Sequence, residues 1–185
     1  MSRADTFHGF ARLLHWLMAA MILSMLFIGA GMVTSVESKY LWLVSIHKPL
    51  GIAVFVLALI RLGFRLTHPA PPLPADMPLW QKLAAHASHW LLYALMIGLP
   101  LIGWAMLSAG NYPVTLGGGL RLPPIVPADA LLFAWLREAH RYLAWLFFLT
   151  FLAHMGAALM HGLIRRDGVL QSMTGGRRPE RSDIA

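Results

Sequence analysis

The sequence predicts an all-α integral membrane protein, a four-helix bundle with both termini on the cytoplasmic side. Composition, long stretches without charge and the placement of basic residues predict it. Of the 185 residues, 58% are hydrophobic and 12% charged, against roughly 45–50% and 25% in soluble domains. No charge interrupts Leu13 to Val36, Leu83 to Leu120 or Tyr142 to Ile164. Each run exceeds the ~20 apolar residues that cross a bilayer. The chain reads as one membrane domain over residues 1–185, with no internal repeat or low-complexity tract.

The first helix is expected at about residues 12–34. Its apolar run is too long for a signal-peptide core, and GAGMVTSVESK is an ambiguous cleavage site, so it reads as retained. The second, about 43–66, carries Lys48 near its start and Arg61 and Arg65 near its end, where long side chains can snorkel to the interfaces. THPAPPLPADMP cannot be helical, because proline removes backbone donors and fixes φ. The third helix is expected at about 83–108, with a kink at Pro100 between Gly98 and Gly103. NYPVTLGGGLRLPPIVP reads as a loop, and Asp129 as the N-cap of a fourth helix at about 130–163. Residues 164–185 read as a cytoplasmic tail.

Orientation follows from the basic residues. An inside N-terminus puts Arg3, Arg12, Arg61, Arg65, Lys82, Arg165, Arg166, Arg177, Arg178 and Arg181 on the cytoplasmic side. Lys39, Lys48, Arg121, Arg137 and Arg141 then lie outside. The bias toward the cytoplasm supports that topology. The net charge of +7 thus reflects topology and gives no reason to invoke nucleic acid. Cysteine is absent, which excludes disulfides, thiolate ligands, iron–sulfur clusters and covalent haem attachment.

Ionisable residues inside a membrane are functional candidates by default, and this chain has nine histidines. In HRYLAWLFFLTFLAH, His140 and His154 stand 14 residues apart. At 1.5 Å and 100° per residue they lie about 21 Å apart in depth but only about 40° apart around the helix. His161 continues the stripe. On the expected topology His47 lies at the depth of His140, and His15 at the depth of His154. Two same-depth pairs predict two irons, each held by two imidazoles. Such ligation leaves no open position and suits electron transfer.

The surroundings have two readings each. Gly51, Ala144, Ala157 and Ala158 leave room for a flat macrocycle or for ordinary helix packing. Trp16, Trp104, Trp145, Phe147 and Phe151 pack against such a ring, or serve as lipid-facing and interfacial residues. Arg12, Lys48, Arg137 and Arg141 meet haem propionates or anchor the membrane ends. His8 and His68 read as interfacial. His86 and His89 read as ligands, a quinone site or solvated groups; a polar role is favoured over axial ligation, because no outer-level histidine on the third helix completes a second pair.

The stretches RLLHWLMA, IHKPLGIAVFVLALIRLGFRLTHPAPPLP, LAAHASHWLLYALMIGLPLIGW and REAHRYLAWLFFLTFLAHMGAALMH resemble the bacterial four-helix cytochrome b561 family. That family is related to the membrane cytochrome b subunits of formate dehydrogenase and nickel–iron hydrogenase. The likeness covers most of residues 10–165. It implies two haem b, His15 with His154 on the cytoplasmic side and His47 with His140 on the periplasmic side, in the bacterial inner membrane. It further implies electron transfer from a periplasmic one-electron donor, superoxide in some members, to ubiquinone. It makes His161 a candidate quinone contact; the residue reads equally as interfacial. A basic outer surface at Lys48, Arg121, Arg137 and Arg141 suits an anion such as superoxide, and serves propionates equally well.

A second expectation is a membrane-anchor subunit that relays electrons from a partner dehydrogenase to quinone, although no loop is large. A histidine-lined metal transporter is disfavoured, because the spans lack internal carboxylates.

Overall fold

The computed structural model describes residues 6–116 and 119–175. Four long helices carry the fold: α1 Gly9–Val33, α2 Glu37–Thr67, α3 Leu79–Ala109 and α4 Ala130–Leu159. All four are long and apolar enough to cross a membrane. Lipid offers no partners to backbone N–H and C=O groups, so a spanning segment must satisfy them internally, as a helix does. Large apolar side chains such as Phe27, Trp42 and Leu131 are exposed on the bundle's outer surface, where lipid would solvate them.

The helix ends are set by local chemistry. His8 caps α1, its Nδ1 accepting from the Phe10 N–H at 3.2 Å. Asp129 caps α4 as expected, accepting from the Leu132 N–H at 2.8 Å. Both α2 and α3 begin earlier than expected, at Glu37 and Leu79. Their first turns project beyond the apolar stretch, where hydropathy gives no signal. Pro100 lies inside α3 and removes one backbone donor there.

Two elements depart from the expectation of featureless connections. In the outer loop β1 Val114–Thr115 pairs antiparallel with β2 Arg121–Leu122, Val114 opposite Leu122. That ribbon is tied to the bundle by Lys48 Nζ donating to the Pro113 carbonyl at 3.4 Å and Trp104 Nε1 to that of Pro123 at 3.0 Å. At the other end α4 continues as a π-helical turn, Met160–Arg165, and the chain reverses through Arg166 (φ 53°) and Gly168 (φ 84°). A short helix, α5 Val169–Thr174, then folds back. So residues 166–175 are not a free tail: the Phe7 N–H donates to the Ser172 carbonyl, and Trp16 Nε1 to that of Met173, each at 3.1 Å. The rest of the expected tail, 176–185, lies outside the described residues.

Neighbours in sequence pack together: α1 with α2, α2 with α3, and most extensively α3 with α4. The buried core is Met18, Ile22, Val54, Ala58, Leu95, Met96, Leu99 and Phe147. Each of these falls, along its own helix, between the outer and inner histidine levels. The core is therefore an apolar slab with a polar layer above and below it.

Candidate functional site

The outer layer is built by α2 and α4. Their rings, His47 and His140, have centroids 6.2 Å apart and planes inclined at 67°. The inner layer is built by α1 and α4, with His15 and His154 at 6.3 Å and 68°. The sequence-derived pairing by depth thus corresponds to two ring pairs of nearly identical geometry.

The separations have a chemical meaning. An imidazole nitrogen binds a first-row metal at about 2.0 Å, and its ring centre lies about 1.1 Å further back, so two imidazoles facing each other across one metal have centres about 6.2 Å apart. Both pairs meet that distance. All four rings are half-buried. Nδ1 of His15, His47 and His140 is buried without a hydrogen-bond partner. Buried polar atoms are normally satisfied, so these nitrogens stand out, as do Ser35 Oγ and a guanidinium nitrogen of Arg65. Among the described residues no three or more His, Cys, Asp or Glu side chains cluster so as to hold a metal. The two facing pairs suit a cofactor that would bring further donors of its own.

Small residues make room for the rings. A Cβ on Gly103 of α3 would lie 3.3 Å from Cε1 of His140, so the missing side chain lets that ring lie against α3. Gly51, expected to admit a macrocycle, is buried, and a Cβ there would touch the end of Met25 at 3.6 Å.

The inner layer holds more than the sequence suggested. His89 of α3 lies 5.3 Å from His154, closer than two imidazoles facing each other across one metal, and so stands beside the pair. Arg61, expected to snorkel outward, is turned toward α3 with its guanidinium 5.9 Å from the Tyr93 ring. It is within electrostatic reach of His15, His89 and His154. His86 donates from Nδ1 to the Lys82 carbonyl at 2.7 Å. Together with Arg65, His89, Trp90 and Tyr93 it lines a small pocket. His8 and His68 meet at the surface around Phe64.

His161 is buried and hydrogen-bonded from Nδ1 to Asp167 at 2.5 Å. The other oxygen of Asp167 accepts from the Val169 N–H, starting α5. Asp167 is a partner that sequence reasoning missed. A spacing of six is no helical neighbour relation, and the contact arises only because the chain reverses at residues 166–168.

The basic residues expected at the interfaces are partly engaged elsewhere. Arg141 pairs with Glu138 and stacks on Tyr142, Lys48 reaches Pro113, and the Arg12 guanidinium lies against Gly175.

A family model described as prokaryotic cytochrome b561 matches residues 6–176. The chain is 30% identical over 164 residues to "Cytochrome b561 homolog 2" of Escherichia coli (strain K12), covering 87% of each protein. It is 35% identical over 133 residues to "Probable superoxide oxidase CybB" of Yersinia pestis, covering 71% of this chain and 74% of that one. "Cytochrome b561 homolog 1" of Escherichia coli is 31% identical over 137 residues, covering 74% and 77% respectively.

Proposed function

The chain belongs to the prokaryotic cytochrome b561 family, and from that premise we propose that it is a di-haem electron carrier linking a periplasmic one-electron donor to membrane quinone. Membership with four spanning helices makes it a multi-pass membrane cytochrome b of the bacterial inner membrane, bound to haem b and acting in electron transfer. The finer reading rests chiefly on one observation: two histidine pairs, at 6.2 and 6.3 Å, on opposite sides of an apolar core.

In this reading His47 and His140 would hold the outer haem b, and His15 and His154 the inner one. The ring separations and the imidazole donors fit that cofactor. When bound, haem b supplies one-electron redox chemistry. The chain sets the depth of each site through α4 and excludes water with Met18, Leu99 and Phe147 between them. The name of the Yersinia relative supports superoxide as donor. Two superoxide anions would each give one electron and become dioxygen. A quinone would take both electrons with two protons and become quinol.

His161 is the candidate quinone contact at the inner end. Asp167 fixes one ring nitrogen and leaves the other, Nε2, to face a ligand or pass a proton. The same pair also pins the turn into α5, and both roles are compatible.

Stopped-flow mixing of the haem-loaded protein with superoxide, followed by ubiquinone-1, tests the reading. The expected result is reduction of two b-type components and their reoxidation by quinone. Protein purified after expression with ample haem and carrying none would overturn it. Reduction only in the presence of a co-purifying iron–sulfur subunit would replace it with the membrane-anchor role.

A further inference from the structure

The two histidine pairs differ in one respect that their matched geometry conceals. Beside the inner pair stands a guanidinium, Arg61, brought there from α2 and held over the face of Tyr93 on α3. The charged or titratable groups that act on Arg61 are Tyr93 and Arg65, and no carboxylate is among them. Arg61 in turn acts on His15, His89 and His154. Among the described residues no guanidinium is placed against an aromatic ring of another helix beside the outer pair, as Arg61 is beside the inner one; His47 faces His140, and His140 lies against α3 at Gly103. Two of the outer cations are engaged elsewhere, Lys48 with the Pro113 carbonyl and Arg141 with Glu138. The inner layer therefore has a guanidinium turned into it from α2, placed by Tyr93 one helical turn beyond His89, which itself lies 5.3 Å from His154.

Resting on the di-haem reading above, we propose that Arg61, held by Tyr93 beside His15 and His154, raises the reduction potential of the inner haem above that of the outer one. Arg61 is thus a tuning residue that drives electrons inward. The physics is Coulombic. Reduction removes one positive charge from the iron, and a fixed cation in a weakly polar interior favours the less positive state. Arginine suits the task, because its guanidinium stays charged inside the protein and lies comfortably on an aromatic face. Tyr93 lends the face of its ring without neutralising the charge. Only α2 and α3 supply this arrangement, so the bias is independent of both inner axial ligands.

The test is a spectroelectrochemical redox titration of the purified haem-loaded protein. The inner component is assigned as the one missing from His15→Ala. In the wild type the inner component should titrate higher. Arg61→Gln should shift the inner reduced-to-oxidised ratio at least tenfold toward oxidised at fixed potential, a fall of about 59 mV for one electron. The outer component should stay put, and the low-spin absorption of both should be unchanged. Arg61→Lys, which keeps the charge, should restore most of the shift. If Arg61→Gln fails to retain the inner haem, Tyr93→Glu gives the second arm: a carboxylate beside Arg61 should lower the same potential. An inner potential that is unmoved by Arg61→Gln, or by Tyr93→Glu where the first variant loses haem, overturns the assignment. So does an equal fall in both components. A wild-type titration with one component, or none, would instead sink the di-haem reading itself.

Discussion

His47 and His140 come from α2 and α4, and their ring centres stand 6.2 Å apart with planes at 67°. That pair is reproduced across the bundle by His15 and His154 at 6.3 Å and 68°. The two pairs share α4 but take their second ring from different helices, α2 and α1, and ordinary side-chain contact tolerates a range of distances. In the di-haem reading proposed above, one requirement, two imidazoles facing each other across a metal, covers both.

The pairs should therefore fail separately. His47→Ala or His140→Ala should cut haem per chain by about half and remove one b-type component. His15→Ala or His154→Ala should remove the other. A pyridine haemochrome assay with a redox titration checks this. Loss of both haems from each single variant would mean that the sites are not independent.

Gly103 offers a finer probe of the outer site. A Cβ there would come within 3.3 Å of Cε1 and 3.6 Å of Nδ1 of His140, so the ring must yield by a few tenths of an ångström. Gly103→Ala should alter the electron paramagnetic resonance of the outer haem while leaving the inner signal alone, and Gly103→Leu should abolish outer binding. Gly98→Ala is the control, because a Cβ at Gly98 meets nothing within 4 Å.

The slab between the layers should resist added volume. Ala58 is fully buried among Met18, Ile22 and Leu95. Ala58→Leu inserts three carbons into a filled core, and overpacking of that kind costs about 1–3 kcal/mol. Thermal unfolding in detergent should show a lowered midpoint. An unchanged midpoint would mean that the slab is looser than its burial indicates.

Much of this was legible in the sequence, and the reason is the membrane. A spanning segment must be helical and about 20 residues long, so the four helices and the depths of His15, His47, His140 and His154 followed from position along the chain. What depth does not give is rotation. Nothing in the spacing of α2 says that Arg61 turns inward to Tyr93 instead of outward to the interface, or that His89 of α3 stands beside His154. The ribbon at Val114 and Arg121 was hidden for another reason. Its strands are two residues each, in a segment rich in Gly and Pro, and a period of two cannot be read from two residues. α5 was missed because its six residues dock through Ser172 and Met173 backbone carbonyls, a contact with no side-chain signature.

The contact between His161 and Asp167 supplies the last prediction. Asp167 accepts from His161 with one oxygen and from the Val169 N–H with the other. Asp167→Ala leaves both partners unsatisfied. An orphaned buried donor costs about 1–3 kcal/mol, so α5 should loosen while Trp16 and Phe7 still hold it weakly. Hydrogen exchange should show faster amides over 169–174, with haem content unchanged. Asp167→Asn keeps an oxygen for Val169 but exchanges the carboxylate that orients His161, so α5 should stay protected. If His161 touches quinone, both variants should slow haem reoxidation by ubiquinone-1 without slowing haem reduction. If the contact only pins the turn, Asp167→Asn should reoxidise at the wild-type rate. The two variants together therefore separate a structural contact from one that serves the acceptor.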